Sequence, residues 1–238
     1  MQTIAIIPAR GGSKGIPRKN IVDFCGHPLV AWTIACCRSC RLIKGVFVST
    51  DDPEIAAVAR RYGAEAITRP PELSTDAADS ESALIHALDV IASGGRNPVD
   101  VVVFLQATSP LRESAELEGA LAKFEKEKLD SLFSAAELEH RFIWREQGGR
   151  VESWNYDFQR RKRRQDLSGQ AKYHIETGSF YITRAQLLRE KRNRLGGTIG
   201  IWPVPFWKSF EIDALVDLEL CEQFMRKHQL DKFPPQSL

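Results

Sequence analysis

The chain is 238 residues long, 43% hydrophobic and 27% charged, and its 33 basic and 31 acidic residues leave a formal charge of +2. That size suits one large domain, or a domain with an appendage, and buries roughly 70–75% of the unfolded surface. The near-neutral balance excludes a dedicated nucleic-acid binder, the composition is that of a globular soluble protein, and no apolar run approaches the ~20 residues that cross a bilayer.

Met1-Gln2-Thr3 lacks the basic start and cleavage site of a secretory leader, so the opening reads as a first strand. Strands are predicted at residues 4–8, 45–49, 64–68, 101–105 and 131–135, and helices at 29–38, 53–62, 80–92 and 114–126. Asp51 or Asp52 can cap the second helix, and Gly63 ends it. The run VVVFL at 101–105 is apolar throughout, as in a strand buried on both faces. Strands alternating with helices predict an α/β fold, with a mostly parallel, Rossmann-like sheet flanked by helices. After Glu137 the pattern breaks. Residues 138–172 are polar, aromatic and charged, with RRKRRQ at 160–165, and read as a flap or as an arm ordered by a partner subunit. Regularity returns at 179–184 and 198–205, a helix is predicted at 215–228, and Pro234-Pro235 reads as a loose end. The whole, 1–238, is read as a single domain carrying that arm.

Five cysteines occur, at 25, 36, 37, 40 and 221. Cys36, Cys37 and Cys40 suggest a metal knuckle, but no second pair or histidine follows at zinc spacing. Their apolar, helically periodic surroundings favour buried thiols, and an odd, clustered set points to a reducing cytoplasm.

Four stretches carry chemistry. PARGGSKGIPRKN (8–20) follows the first strand, where open α/β sheets bind ligands at the carboxyl edge. It is neither a Walker A loop nor a Gly-x-Gly-x-x-Gly turn. Backbone N–H groups of Gly11 to Ser13 can nest an anion, with Arg10 and Lys14 pinching a triphosphate from the two ends; the alternative is a solvated turn. In LQATSPLR (105–112), Gln106, Thr108 and Ser109 offer neutral groups suited to a sugar or base, or else they satisfy a loop's own backbone. In FEID (210–213), Glu211 and Asp213 are two apart in extended chain and face one way. Such a pair suits a hard cation, unless Asp213 caps the next helix and Glu211 is solvated. RRKRRQ is either a cationic arm over an anionic substrate or a solvated run. His86, His140 and His174 form no triad with a serine, and no Gly-x-Ser-x-Gly elbow is present.

Together these pieces resemble the acylneuraminate cytidylyltransferases, the CMP-sialic acid synthetases. The likeness rests on Arg10, Ser13, Lys14, Lys19 and Asn20 of the opening loop, then on VSTDD (48–52), RPPELSTD (69–76), LQATSPLR, TGSFYI (177–182) and SFEID. RRQDLSG ahead of ETGSFYI looks closest to the branch that handles N-acetylneuraminate or KDN. The resemblance implies a nucleotide-diphospho-sugar transferase-like fold, a homodimer or dimer of dimers, and a soluble enzyme with no membrane or nucleic-acid partner. It implies transfer of CMP from CTP to a nine-carbon nonulosonic acid, with Mg2+, releasing pyrophosphate. Arg10, Gly11, Ser13, Lys14, Asn20, Arg69 and Ser80 would serve the nucleotide, with Arg10 and Lys14 catalytic. Gln106, Thr108, Ser109 and Arg164 would serve the sugar acid, and Glu211 and Asp213 the metal. Three departures stand out: Glu211 where the family has Asp, Glu176-Thr177-Gly178 where it has Glu-Asn-Gly, and Gln106-Ala107-Thr108 where it has Gln-Pro-Thr. The rivals are a Kdo-type cytidylyltransferase, which the missing acid in the Gln106 motif disfavours, and a non-catalytic nucleotide- or RNA-binding protein.

Overall fold

The computed structural model describes residues 1–138, 142–161, 163, 172–232 and 234–238. Strand β1 (Thr3–Pro8) is followed by a small hairpin of β2 (Asp23–Phe24) and β3 (His27–Pro28), and then by helix α1 (Leu29–Ser39). The alternation then runs β4 (Gly45–Thr50), α2 (Pro53–Arg61), β5 (Glu65–Thr68), α3 (Ser80–Ser93), β6 (Val101–Leu105), α4 (Ser114–Lys126) and β7 (Ser131–Glu137). A second hairpin, β8 (Trp144–Gln147) with β9 (Arg150–Ser153), pairs outside the main sheet. Strand β10 (His174–Arg184), helix α5 (Ala185–Lys191), strand β11 (Ile199–Val204) and helix α6 (Leu215–Lys227) follow.

Seven strands make one sheet in the order β11-β7-β10-β6-β1-β4-β5. Every pairing is parallel except those of β10, which runs antiparallel between β6 and β7. Side-chain alternation sends Ala5, Ile7, Val101, Val103 and Leu105 to one face and Ile4, Ile6, Val102 and Phe104 to the other. The first face packs on α1, α2 and α4, the second on α3 and α5. All-apolar β6, buried along its whole length, is the centre of this sandwich.

The chain leaves β1 toward β4 on one side, while β6 takes the other. The carboxyl ends of β1 and β6 therefore flank a point where the chain's direction across the sheet reverses, and such points open a crevice. Because β10 is antiparallel and pairs Phe180 with Leu105, its first residues project past the carboxyl end of β6 into the same region.

One alternative is resolved and two expectations change in detail. Asp52, not Asp51, caps α2, accepting from the N–H groups of Glu54 and Ile55. Strand β10 begins at His174 rather than at 179, because its pairing with β7 continues across a register shift between Glu176 and Tyr181. The tail after residue 233 is not loose: Pro235 is buried and Leu238 N–H donates to the Arg61 carbonyl at 2.8 Å. Among the described residues no helix is long and apolar enough to cross a membrane.

Candidate active site

A cavity of about 590 Å³ opens at the carboxyl ends of β1 and β6, lined on one side by Pro8 and on the other by Phe104. The loop after β1 forms its cationic rim. Arg10 Nη2 and Lys14 Nζ converge on one carboxylate, that of Asp76, at 2.7 and 2.9 Å, each holding a different oxygen. These contacts hold the Asp76 carboxyl below its usual range, Lys14 first and Arg10 next. Two cations from opposite ends of a glycine loop thus already grip a bidentate anion.

The loop is tied down at several points. Asn20 Nδ2 donates to the Arg10 carbonyl at 2.9 Å, and Arg18 turns away to Asp52 and Glu54 at the start of α2. Gly11 N–H donates to Asp51 at 2.9 Å, so its role differs from the one its sequence suggested: it is spent on the scaffold, and Gly11 does not line the cavity. Gly15 lies so close to the Asp213 carbonyl that a Cβ there would run into it. Arg69 lines the cavity although its guanidinium is largely buried, donating from Nε to Ser49 Oγ at 3.1 Å and from Nη2 to the Ser49 carbonyl. Burial pulls its pKa below the ordinary arginine value. Ser13, Asn20 and Ser80 line the same space.

The opposite wall is neutral. Gln106 and Thr108 line the cavity, with Thr108 Oγ1 and Gln106 Oε1 3.4 Å apart. Ser109 does not join them: it is buried, with its hydroxyl unpartnered, because the turn after β6 points it into the protein.

The two acidic residues flank Ile212, which is fully buried and whose N–H donates to the Thr108 carbonyl at 2.8 Å. With Ile212 turned inward, extended geometry sends Glu211 and Asp213 outward together. Asp213 lines the cavity and is held by Lys19 Nζ at 2.7 Å. It does not cap α6. Asp217 does so, accepting from the N–H groups of Asp213 and Ala214 at 3.0 and 2.8 Å. Glu211 lies against Gly178 of β10, where a Cβ would meet both its carboxylate and, at 2.9 Å, Gln106 Oε1. Gly178 has φ +64 and sits within the β10 register shift, so only glycine gives this seat without strain. Burial pushes the Glu211 carboxyl above its ordinary range, and the Asp213 charge pushes it further. Two mutually repelling carboxylates beside an amide oxygen are a donor set that fits a hard divalent cation. Among the described residues no larger His, Cys, Asp or Glu cluster forms a metal site, around the clustered cysteines or elsewhere.

The structure adds residues that sequence reasoning did not single out for the site: Asp76, which sits between the cations, and Asp51, which holds Gly11. Both lie in stretches already noticed, VSTDD and RPPELSTD, but no local pattern shows which side chain crosses to β1. Arg164, together with Lys162 and Gln165 of the basic run, lies outside the described residues, as does His140.

The sequence profile of the family described as Cytidylyltransferase matches residues 4–233. The chain is 38% identical over 225 residues to N-acylneuraminate cytidylyltransferase A of Danio rerio, covering 92% of this chain and 50% of that protein. It is 35% identical over 228 residues to pseudaminic acid cytidylyltransferase of Campylobacter jejuni, covering 93% and 95%. The chain thus spans about half the length of the fish relative but nearly all of the bacterial one. Among solved structures, CMP:2-keto-3-deoxy-manno-octonic acid synthetase complexed with CTP superposes with a TM-score of 0.69 at 18% identity, over 96% of this chain and all of that one. The 4-diphosphocytidyl-2C-methyl-D-erythritol synthase of Anaerococcus prevotii gives 0.65 at 10% identity, over 94% and 98%. The two structures share the fold. The profile match across the sheet and its crevice, with the end-to-end likeness to the Campylobacter protein, makes this chain a member of the cytidylyltransferase family.

Proposed function

We propose that this protein transfers CMP from CTP to the anomeric hydroxyl of a nine-carbon 2-keto sugar acid, releasing pyrophosphate. The observation that carries the reading is the Arg10–Asp76–Lys14 bridge: two cations hold one bidentate anion at the sheet's switch point, facing a neutral polar wall. The triphosphate takes the place of the Asp76 carboxylate. Arg10 and Lys14 then hold the outer phosphates and offset the charge that grows on them as pyrophosphate leaves in line. Asn20 keeps the loop closed through the Arg10 carbonyl. Gln106 and Thr108 present donors and acceptors to the sugar acid, whose hydroxyl attacks the α-phosphorus. Most of the catalysis is positioning and charge neutralisation.

Asp213 and Glu211 would hold magnesium, which when bound supplies positive charge to the phosphates. The acceptor class follows the relatives named for N-acylneuraminate and pseudaminic acid; Arg164 would contact its carboxylate. A homodimer is supported by four exposed apolar side chains on and just after the β8–β9 hairpin, Trp144, Val151, Trp154 and Phe158, which a second copy would cover. Five unpaired cysteines suit a reducing, cytoplasmic setting.

The test is pyrophosphate release from CTP and magnesium with a panel of N-acetylneuraminate, KDN, pseudaminic acid and Kdo. Turnover with a nine-carbon acid is expected. None with any acid would leave a binding protein as the better account.

Two further outcomes follow. Asp76→Asn removes the occupant of the phosphate cradle and should tighten CTP binding about two- to five-fold in calorimetry, the scale of exposed ion pairs; weaker binding would mean that Asp76 stays in the loaded site. Gly178→Ala forces a side chain into a left-handed backbone, costing about 1–2 kcal/mol, and into the Glu211 seat. A drop of a few degrees in Tm together with at least ~10-fold slower turnover is expected from melting curves and initial rates. Unchanged rates would show that the seat does not matter for catalysis.

A further inference from the structure

Arg112 ends the LQATSPLR stretch and is buried, 6% exposed, yet none of the proposed steps uses it. Its Nε donates to Ser179 Oγ at 3.0 Å, its Nη1 to Thr33 Oγ1 at 2.9 Å, and its Nη2 to the Gln106 carbonyl. All three acceptors are neutral. A guanidinium stays charged in a protein, so this is a buried cation whose direct hydrogen bonds all go to dipoles, with the Glu116 and Glu211 carboxylates acting on it only at longer range, an arrangement that costs desolvation without direct ion-pair compensation. An apolar side chain of equal length would leave the Ser179, Thr33 and Gln106 acceptors without this donor. The charge and the fork must therefore do something that packing does not.

What the fork joins is specific. Gln106 carries the neutral wall of the cavity. Ser179 follows Gly178, the residue over which the Gln106 amide and the Glu211 carboxylate meet. Thr33, on α1, anchors the third arm in the core. Arg112 thus ties the turn after β6, which carries Gln106, to the irregular start of β10, which carries Gly178. It touches nothing on the Arg10–Lys14 side.

The geometry points to Arg112 as a positioning residue for the acceptor half of the site, acting through Gln106 and the Gly178 seat, with its fixed positive charge behind the wall that receives an anionic substrate. This rests on the cytidylyl-transfer reading above. A planar fork with three fixed donors is not replaced by a lysine ammonium.

The experiment compares Arg112→Lys, Arg112→Met, Ser179→Ala and Thr33→Val with the parent, measuring kcat, the KM of each substrate, the calorimetric Kd of CTP, and Tm. For Arg112→Lys, sugar-acid KM should rise ~10-fold or more, with kcat reduced, as expected when charge-assisted bonds are lost; CTP affinity should stay within about two-fold. Ser179→Ala, on the cavity side, should show the same split more weakly, and Thr33→Val should lower Tm with little kinetic effect. If Arg112→Met does not fold, the lysine and serine variants decide the matter. For Arg112→Lys and Ser179→Ala, equal losses for CTP and sugar acid, or a Tm change with unaltered KM values, would overturn the assignment. A parent enzyme inactive with every sugar acid would instead overturn the reading of the reaction on which it stands.

Discussion

Lys14→Ala should lower turnover by about 10²–10³-fold, the usual loss when one strong electrostatic contact to a developing charge is removed, with circular dichroism and Tm unchanged. The fold should be indifferent because Lys14 lies on the loop after β1, with most of its side chain in solvent, and its ion-pair partner is the exposed Asp76. Its exposure makes the ground-state pair weak. The same residue becomes important once a triphosphate replaces Asp76, because the leaving pyrophosphate gains charge where the ammonium sits. The loss should therefore fall mainly on kcat rather than on CTP affinity. Arg10 cannot take over. Its backbone carbonyl is fixed by Asn20, and its guanidinium approaches the anion from the opposite end of the loop, on the oxygen that Lys14 does not hold. A folded variant that turns over near the parent rate would return this loop to the status of a solvated turn.

Elements whose signal is local were legible in the sequence. The bounds of β6 and α4 match the expected ones because VVVFL and SAELEGALAKFEK each have one period and clear stops. What could not be read was direction and partnership. SFYITR looks the same in either orientation, so nothing local marks β10 as the antiparallel strand, and its first residues are hidden by polar His174 and Glu176 and by Gly178. The β8–β9 hairpin did carry a signal that passed unread: Gly148-Gly149, both with positive φ, is a two-residue turn typical of hairpins. The charged run around it masked the alternation.

The site divides in the same way. Glycines with cations after a first strand announce an anion site whatever the tertiary fold. The same composition does not show that Gly11 N–H goes to Asp51, nor that Arg18 goes to α2. Gln106 and Ser109 are three residues apart in one polar motif, yet the turn sends one to the cavity and the other inside. Glu211 and Asp213 were readable as a pair because extended chain has a period of two. That Asp217 rather than Asp213 caps α6 depends on a side chain reaching back to the N–H groups of Asp213 and Ala214, which the spacing of the acids alone does not show.

That division of labour sets the most discriminating expectation. With Asp217 as the cap, Asp213 is free of structural duty apart from its pair with Lys19, and it stands in the cavity. Asp213→Asn keeps its size but removes the charge, so turnover should fall to about 1% or less of the parent's, again the scale of a lost electrostatic contact, and added magnesium should restore little. Glu211 differs, since its carboxylate rests on Gly178, partly buried, at the end of an arm one methylene longer than an aspartate's. Magnesium holds near-ideal octahedral geometry at ~2.0–2.1 Å and usually keeps several waters. A shorter arm can therefore still serve through one of those waters, and Glu211→Asp should retain turnover within a few-fold while shifting the magnesium needed for half-maximal rate. Titrating magnesium against initial rate for both variants separates the roles. If Glu211→Asp is as damaging as Asp213→Asn, the glutamate's reach across Gly178 is itself required, and the two carboxylates act as equal members of the pair.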